Sequence, residues 1–141
     1  MNDDVKFAPA DATFLAALED GSLPAAEFSH RSHLRAAWLY LEKQPLPKAA
    51  MYCALSIRAY ATGLGVPEKF HLTLTLAFMH IIAGLRVRHP ATSWEAFLAA
   101  CPELQTNAHT LIARYYSSQL LESEKARKTF VPPDREPLPS P

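Results

Sequence analysis

The sequence contains few of the residues that mark several large classes of protein. Only four of its 141 residues are glycine, and no stretch shows the sustained alternation of a β-strand. Two cysteines, Cys53 and Cys101, are too few for a disulfide framework. Lysine plus arginine and aspartate plus glutamate number 14 each, so the formal net charge is zero. The chain therefore lacks the basic excess that is typical of nucleic-acid-binding proteins.

Long apolar runs are also missing. The longest uncharged apolar stretch, residues 70–85, is shorter than the ~20 residues that a membrane span requires, and it contains two histidines. The first residues are acidic and have no apolar segment of the kind found in a secretory signal. We therefore expect a cytoplasmic protein that interacts with neither membranes nor nucleic acid.

Alanine and leucine dominate, and most prolines fall where helical patterns break, which predicts an all-α fold. We expect a compact bundle of about five to seven helices, with segments over residues 12–19, 29–44, 47–64, 67–88, 94–101, 107–116 and 119–128. One helical domain would cover residues 1–130. Five of the last ten residues are proline, so residues 131–141 should form an extended tail, packed on the domain or trailing from it. We expect residues 130–139 to be ordered and to help close a pocket.

The most informative feature is a pair of histidines near the start of the second predicted helix. His30 and His33 are three residues apart and would share a helix face with Leu34 and Trp38, which points inward. Two inward imidazoles on one turn are unusual in an apolar core, because each needs hydrogen-bond partners. The alternative interpretation is an ordinary helix start, since this spacing by itself is a weak metal signal.

His71 lies near the predicted start of the fourth helix and shares a face with Leu74, Thr75 and Phe78. If the two helix starts lie at the same side of the bundle, His30, His33 and His71 converge. Three histidines with an open fourth position form a catalytic type of metal site. Glu27 could add a carboxylate ligand. The sequence thus predicts one transition-metal ion, which could be iron, copper or zinc.

Further side chains are candidates for a pocket beside these histidines. An arginine could hold an anionic group, and tyrosine or threonine hydroxyls could hydrogen-bond a ligand. The candidates are Arg35, Trp38, Thr75, Arg114, Tyr115 and Tyr116. We interpret His80, His89 and His109 as structural.

Three segments of the chain also resemble sequence motifs of a known protein family. They are the F-x-H-x-x-H-L-R-x-A-W motif at residues 28–38, the F-H-x-T-L-T motif at residues 70–75 and the ending over residues 116–139. Together they resemble a family of small uncharacterised bacterial helical proteins. The resemblance implies that His30, His33 and His71 are hallmark positions, and it implies no particular activity.

Two functional hypotheses follow. The first is a small helical metalloenzyme that acts on a small molecule, with oxidative chemistry slightly favoured over hydrolytic chemistry because no clear general base accompanies the histidines. The second is a non-catalytic module that binds haem or a small molecule, or that mediates an interaction, with the histidines in a structural network.

Overall fold

The computed structural model describes residues 7–140, and the regular structure in that range is entirely helical. The all-α prediction is confirmed. Residues 1–6 and Pro141, which the sequence assigns to the start of the domain and the end of the tail, lie outside the described residues. The α-helices are α1 Pro9–Asp20, α2 His30–Lys43, α3 Leu46–Gly63, α4 Leu72–Arg88, α5 Trp94–Ala100, α6 Glu103–Thr106, α7 Ala108–Ala113, α8 Ser118–Leu121 and α9 Glu124–Lys128.

Short helices near the C-terminus raise the number of helices in the described part of the chain above the expected five to seven. The single predicted helix over 119–128 is divided into α8 and α9, because serines cap both. The Ser117 side chain accepts a hydrogen bond from the Leu120 amide, and the Ser123 side chain accepts one from the Ala126 amide. Serine at these positions satisfies amides at a helix start that would otherwise lack a partner.

The core forms where α2, α3 and α4 pack on one another. The inward face predicted for α2 is confirmed for Leu34, Ala37, Trp38 and Leu41, which are all buried, whereas His30, predicted on the same face, is exposed. Ser29 begins this helix as predicted. Its side chain accepts a hydrogen bond from the Ser32 amide while the Ser32 hydroxyl accepts one from the Ser29 amide, so the two residues form a capping box.

The proline-rich segment after α9 lies along the helical body. Its first residues are fixed by Thr73 of α4, whose buried hydroxyl donates to the Thr129 carbonyl oxygen at 2.9 Å and accepts from the Val131 amide at 3.1 Å. The Tyr116 hydroxyl donates to the Val131 carbonyl oxygen at 2.7 Å. Val131 itself is buried. The tail therefore begins in the core.

Further contacts extend along the tail. The Asp134 carboxylate accepts hydrogen bonds from the amide and hydroxyl groups of Ser117, at 2.8 and 2.6 Å. The Pro139 carbonyl oxygen accepts one from Nδ1 of His80 at 3.1 Å. A Cβ atom placed on Gly84 would lie 3.2 Å from Cβ of Pro139, so glycine allows the tail to approach α4 closely.

None of the helices between residues 7 and 140 combines the length and apolar character that a membrane crossing requires.

Candidate ligand-binding site

The three predicted histidines border one small cavity between α2, α3 and the start of α4. Its volume is about 150 Å³. Most of the wall is apolar, and the polar groups are the imidazoles, Lys69 and Thr75. The lining residues are His30, His33, Leu34, Ala37, Cys53, Ile57, Lys69, Phe70, His71, Leu74, Thr75 and Phe78. The structure thus brings His30, His33 and His71 together from two separate segments of the sequence.

His71 is placed differently from the prediction. Pro67 opens a short 3₁₀ turn, Pro67–Lys69, and α4 begins only after His71, which is its N-cap. Nδ1 of His71 accepts a hydrogen bond from the Leu74 amide at 3.0 Å, and Nε2 donates to the Leu121 carbonyl oxygen at 2.8 Å. Because a neutral imidazole has one donor and one acceptor, both ring nitrogens of His71 are engaged.

His30 lies at the first position of α2 and is largely exposed. Its Nε2 atom is 3.0 Å from the Leu104 carbonyl oxygen. A carbonyl oxygen can only accept, so this ring nitrogen carries a proton and donates it. The His30 and Phe78 rings also pack nearly perpendicular to each other, with the ring centroids 5.7 Å apart.

His33 differs from the other two histidines because its Nε2 atom is buried and has no hydrogen-bond partner within residues 7–140. Its ring packs on Phe28, with centroids 4.5 Å apart. Burial, and to a smaller extent electrostatic repulsion from His30, lowers the pKa of His33 to about 4. At neutral pH His33 is therefore an uncharged imidazole in the cavity wall with unused hydrogen-bonding capacity.

The predicted metal site is wrong. Across the described part of the chain, no group of three or more His, Cys, Asp or Glu side chains is arranged to hold a metal ion. The physical reason lies in the hydrogen bonds. Metal binding needs a free lone pair on each ring, whereas both ring nitrogens of His71 are already hydrogen-bonded, to the Leu74 amide and to the Leu121 carbonyl group. Glu27, the possible fourth ligand, is exposed on the turn Ala25–Glu27 and does not border the cavity.

Two other predicted pocket residues also lie elsewhere. Arg35 forms an ion pair with the buried Asp11, with 2.6 Å between Nη2 and Oδ1, and its guanidinium group lies 4.4 Å from the Phe14 ring centroid. Trp38 is a core residue that stacks on Phe97. Arg35 therefore joins α1 to α2, and Trp38 packs against α5.

The predicted C-terminal candidates contact the tail and not the cavity. Arg114 pairs with Glu136 across 2.6 Å, and Tyr116 donates to Val131. Arg114 and Tyr115 line a separate open cleft together with tail residues. The expectation that the tail closes the pocket is wrong, because the cavity is bordered by α2, α3 and residues 69–78. Of the additional candidates, Thr75 is the one in the cavity wall, where its hydroxyl donates to the His71 carbonyl oxygen at 2.8 Å.

Cys53, Lys69, Phe70 and Phe78 border the cavity but were not among the predicted site residues. The sequence does contain a signal for Phe78, because the helical spacing places Leu74 and Phe78 on the same predicted face as His71. No local pattern marks Cys53, because it reaches the cavity through the packing of α3 on α2. Burial raises the pKa of the Cys53 thiol to about 12, so it stays protonated at neutral pH.

The role of His71 as a helix cap leads to a testable expectation. Changing His71 to Ala removes the cap and the bond to Leu121, and should lower the free energy of unfolding by about 2 kcal/mol. Changing His71 to Asn restores a capping oxygen and should recover about half of that loss. Urea denaturation of the three proteins measures the difference. Equal stability of the alanine and asparagine variants would contradict the capping role.

The family resemblance rests on motifs that map onto this cavity. The first motif supplies His30, His33 and Leu34, and the second supplies Phe70 and His71. Membership in that family stays a prediction. Comparison of the chain with models of protein families, with curated protein sequences and with solved structures gives no match.

Proposed function

We propose that this protein binds a small, uncharged organic molecule that consists of a ring with a hydroxyl group. The ring of the ligand would lie in the cavity, and its hydroxyl group would form a hydrogen bond with the imidazole of His33. The observation that carries the proposal is the buried, unpartnered Nε2 atom of a histidine that borders an otherwise largely apolar cavity. A buried polar atom without a partner costs about 1–3 kcal/mol, so a partner supplied by a ligand is favourable.

The charge of His33 limits the chemistry of the ligand. Because the pKa of His33 is lowered to about 4, the ring carries no charge at pH 7 and does not attract a carboxylate or phosphate. A neutral imidazole offers one N–H donor and one lone pair. A hydroxyl group matches either nitrogen, since it can both donate and accept.

The size of the cavity limits the apolar part of the ligand. An apolar cavity of about 150 Å³ is large enough for one benzene ring, and the cavity beside His33 has this volume. Phe70 and Phe78 supply aromatic wall surface against which a ring can pack. Phenol is therefore the simplest probe that combines the ring with the hydroxyl group.

The pKa values of His33 and Cys53 favour binding over catalysis. An effective general base has a pKa near the working pH, whereas the pKa of His33 is lowered to about 4. A cysteine nucleophile must be a thiolate, whereas burial raises the pKa of Cys53 to about 12. Neither group is activated for chemistry on a bound molecule at neutral pH.

Calorimetry with phenol and toluene tests the proposal. The two compounds have nearly the same shape, and only phenol can hydrogen-bond to His33. We expect phenol to bind the unmodified protein and the phenol-to-toluene affinity ratio to fall about three- to tenfold in the His33→Phe variant, which corresponds to one hydrogen bond.

His89→Phe is the matched control, because His89 is exposed at the other end of α4 and should leave the ratio unchanged. Failure of phenol to bind the unmodified protein would contradict the proposal. An affinity ratio that is the same in the His33→Phe variant would contradict it too.

A further inference from the structure

A second, larger space adjoins the histidine cavity. It is an open cleft of about 740 Å³ between the start of α4 and helices α7 and α8. Three side chains, His30, Leu74 and Phe78, border both the cavity and this cleft. The two spaces thus share part of their walls.

The three shared side chains are only partly enclosed by the protein. His30 is largely exposed, and its ring makes one hydrogen bond, to the Leu104 carbonyl oxygen. Leu74 and Phe78 lie one turn apart on α4 and are only partly buried. Rotation of exposed side chains takes place within nanoseconds, so His30 can move without any change in the backbone.

The outer cleft has an apolar floor and a polar rim. Leu74, Phe78, Ile112 and Leu121 supply the floor. Amide and hydroxyl side chains of the segment 105–110 and of Ser118 border it. Glu122 contributes a carboxylate to the lining, which disfavours an anionic ligand.

The cavity by itself is small for a ligand pocket, and the adjoining cleft offers further space. Ligand pockets usually measure about 300–1,000 Å³. The cavity is well below this range at about 150 Å³, and the adjoining cleft, at about 740 Å³, lies within it. A molecule that filled only the cavity would leave the apolar floor of the cleft in contact with water.

We propose that the ligand is an elongated, uncharged amphiphile. Its hydroxyl-bearing ring lies in the cavity beside His33, and an apolar chain passes His30 and Phe78 and lies on the floor of the outer cleft. This inference rests on the proposed function and adds the class of ligand to it. The energetic basis is the burial of chain methylene groups on an apolar surface that is otherwise exposed.

A series of para-alkylphenols tests the inference by calorimetry. Each methylene group that becomes buried strengthens binding by up to about fourfold, so para-butylphenol should bind the unmodified protein at least about tenfold more tightly than phenol. Changing Ala108 to Trp places a large side chain in the outer cleft and not in the cavity. In that variant the ratio of para-butylphenol to phenol affinity should fall below about threefold.

Ala16→Trp is the matched control, because Ala16 is exposed on α1, and it should keep the full ratio. Circular dichroism checks folding, and Thr110→Trp, in the same cleft, replaces Ala108→Trp if that variant does not fold. Phenol binding without a gain from the butyl chain would overturn the inference and leave the proposed function intact. A gain that persists in both cleft variants would overturn it as well. No phenol binding at all would instead contradict the proposed function.

Discussion

Replacing Thr73 by valine should lower the free energy of unfolding by about 3 kcal/mol, although valine has nearly the same shape. The Thr73 hydroxyl is fully buried and donates to the Thr129 carbonyl oxygen while it accepts from the Val131 amide. Valine would leave the buried Val131 amide and the partly buried Thr129 carbonyl group without this partner. Trypsin should also cleave the variant faster after Lys128 and Arg135, because the hydrogen bonds of Thr73 attach the tail to the core.

Thr75→Val is the matched control for this prediction. It is the same substitution two residues further along α4, and the Thr75 hydroxyl donates to the His71 carbonyl oxygen. That oxygen also accepts from the Thr75 amide, so it keeps a partner in the variant. We expect a loss of less than about 1 kcal/mol. Urea denaturation that gives equal losses for the two variants would contradict the role of Thr73 in holding the tail.

The second large effect is a loss of stability in mild acid that depends on His33. In the folded protein the pKa of His33 is lowered to about 4, whereas an unfolded histidine has a pKa of about 6.5. Between these values the unfolded chain takes up a proton that the folded chain does not. The free energy of unfolding therefore falls as the pH falls through this window, by up to about 3 kcal/mol from His33.

The pH effect is measured by denaturation of the unmodified protein and the His33→Phe variant from pH 7 to pH 4. Carboxylates and the other titratable groups of the cavity, His30, His71, Lys69 and Cys53, are present in both proteins. The difference in stability between the two proteins isolates His33 and should shrink or change sign towards pH 4. His109→Phe, at an exposed position, should keep the full pH dependence. A pH dependence that is the same with and without His33 would contradict its burial as a neutral ring.

Much of the fold could be predicted from local patterns. Such patterns depend only on residues that are neighbours in the sequence. Examples are the apolar period of α2, the Ser29 cap and the prolines that interrupt helices. The convergence of His30, His33 and His71 on one cavity could also be anticipated, because both segments place imidazoles at helix starts that face the core.

The chemistry of the histidines could not be predicted in the same way. Whether His71 is free to bind a ligand depends on the Leu121 carbonyl group, 50 residues away, and on a helix that begins after His71 and not at Pro67. The role of Arg35 could not be predicted either, because its partner Asp11 belongs to another helix, 24 residues away. Such pairs are decided by tertiary packing, and no local spacing encodes them.

The most direct test of the ligand site is nitrogen NMR of the histidine rings, recorded with and without phenol. Ring nitrogen shifts report both the charge of an imidazole and its hydrogen bonds. We expect His33 to stay neutral down to about pH 4, and its ring signals to shift on saturation with phenol while those of the exposed His89 do not. A His33 ring that becomes protonated near pH 6.5, or whose signals do not respond to phenol, would contradict the proposed site.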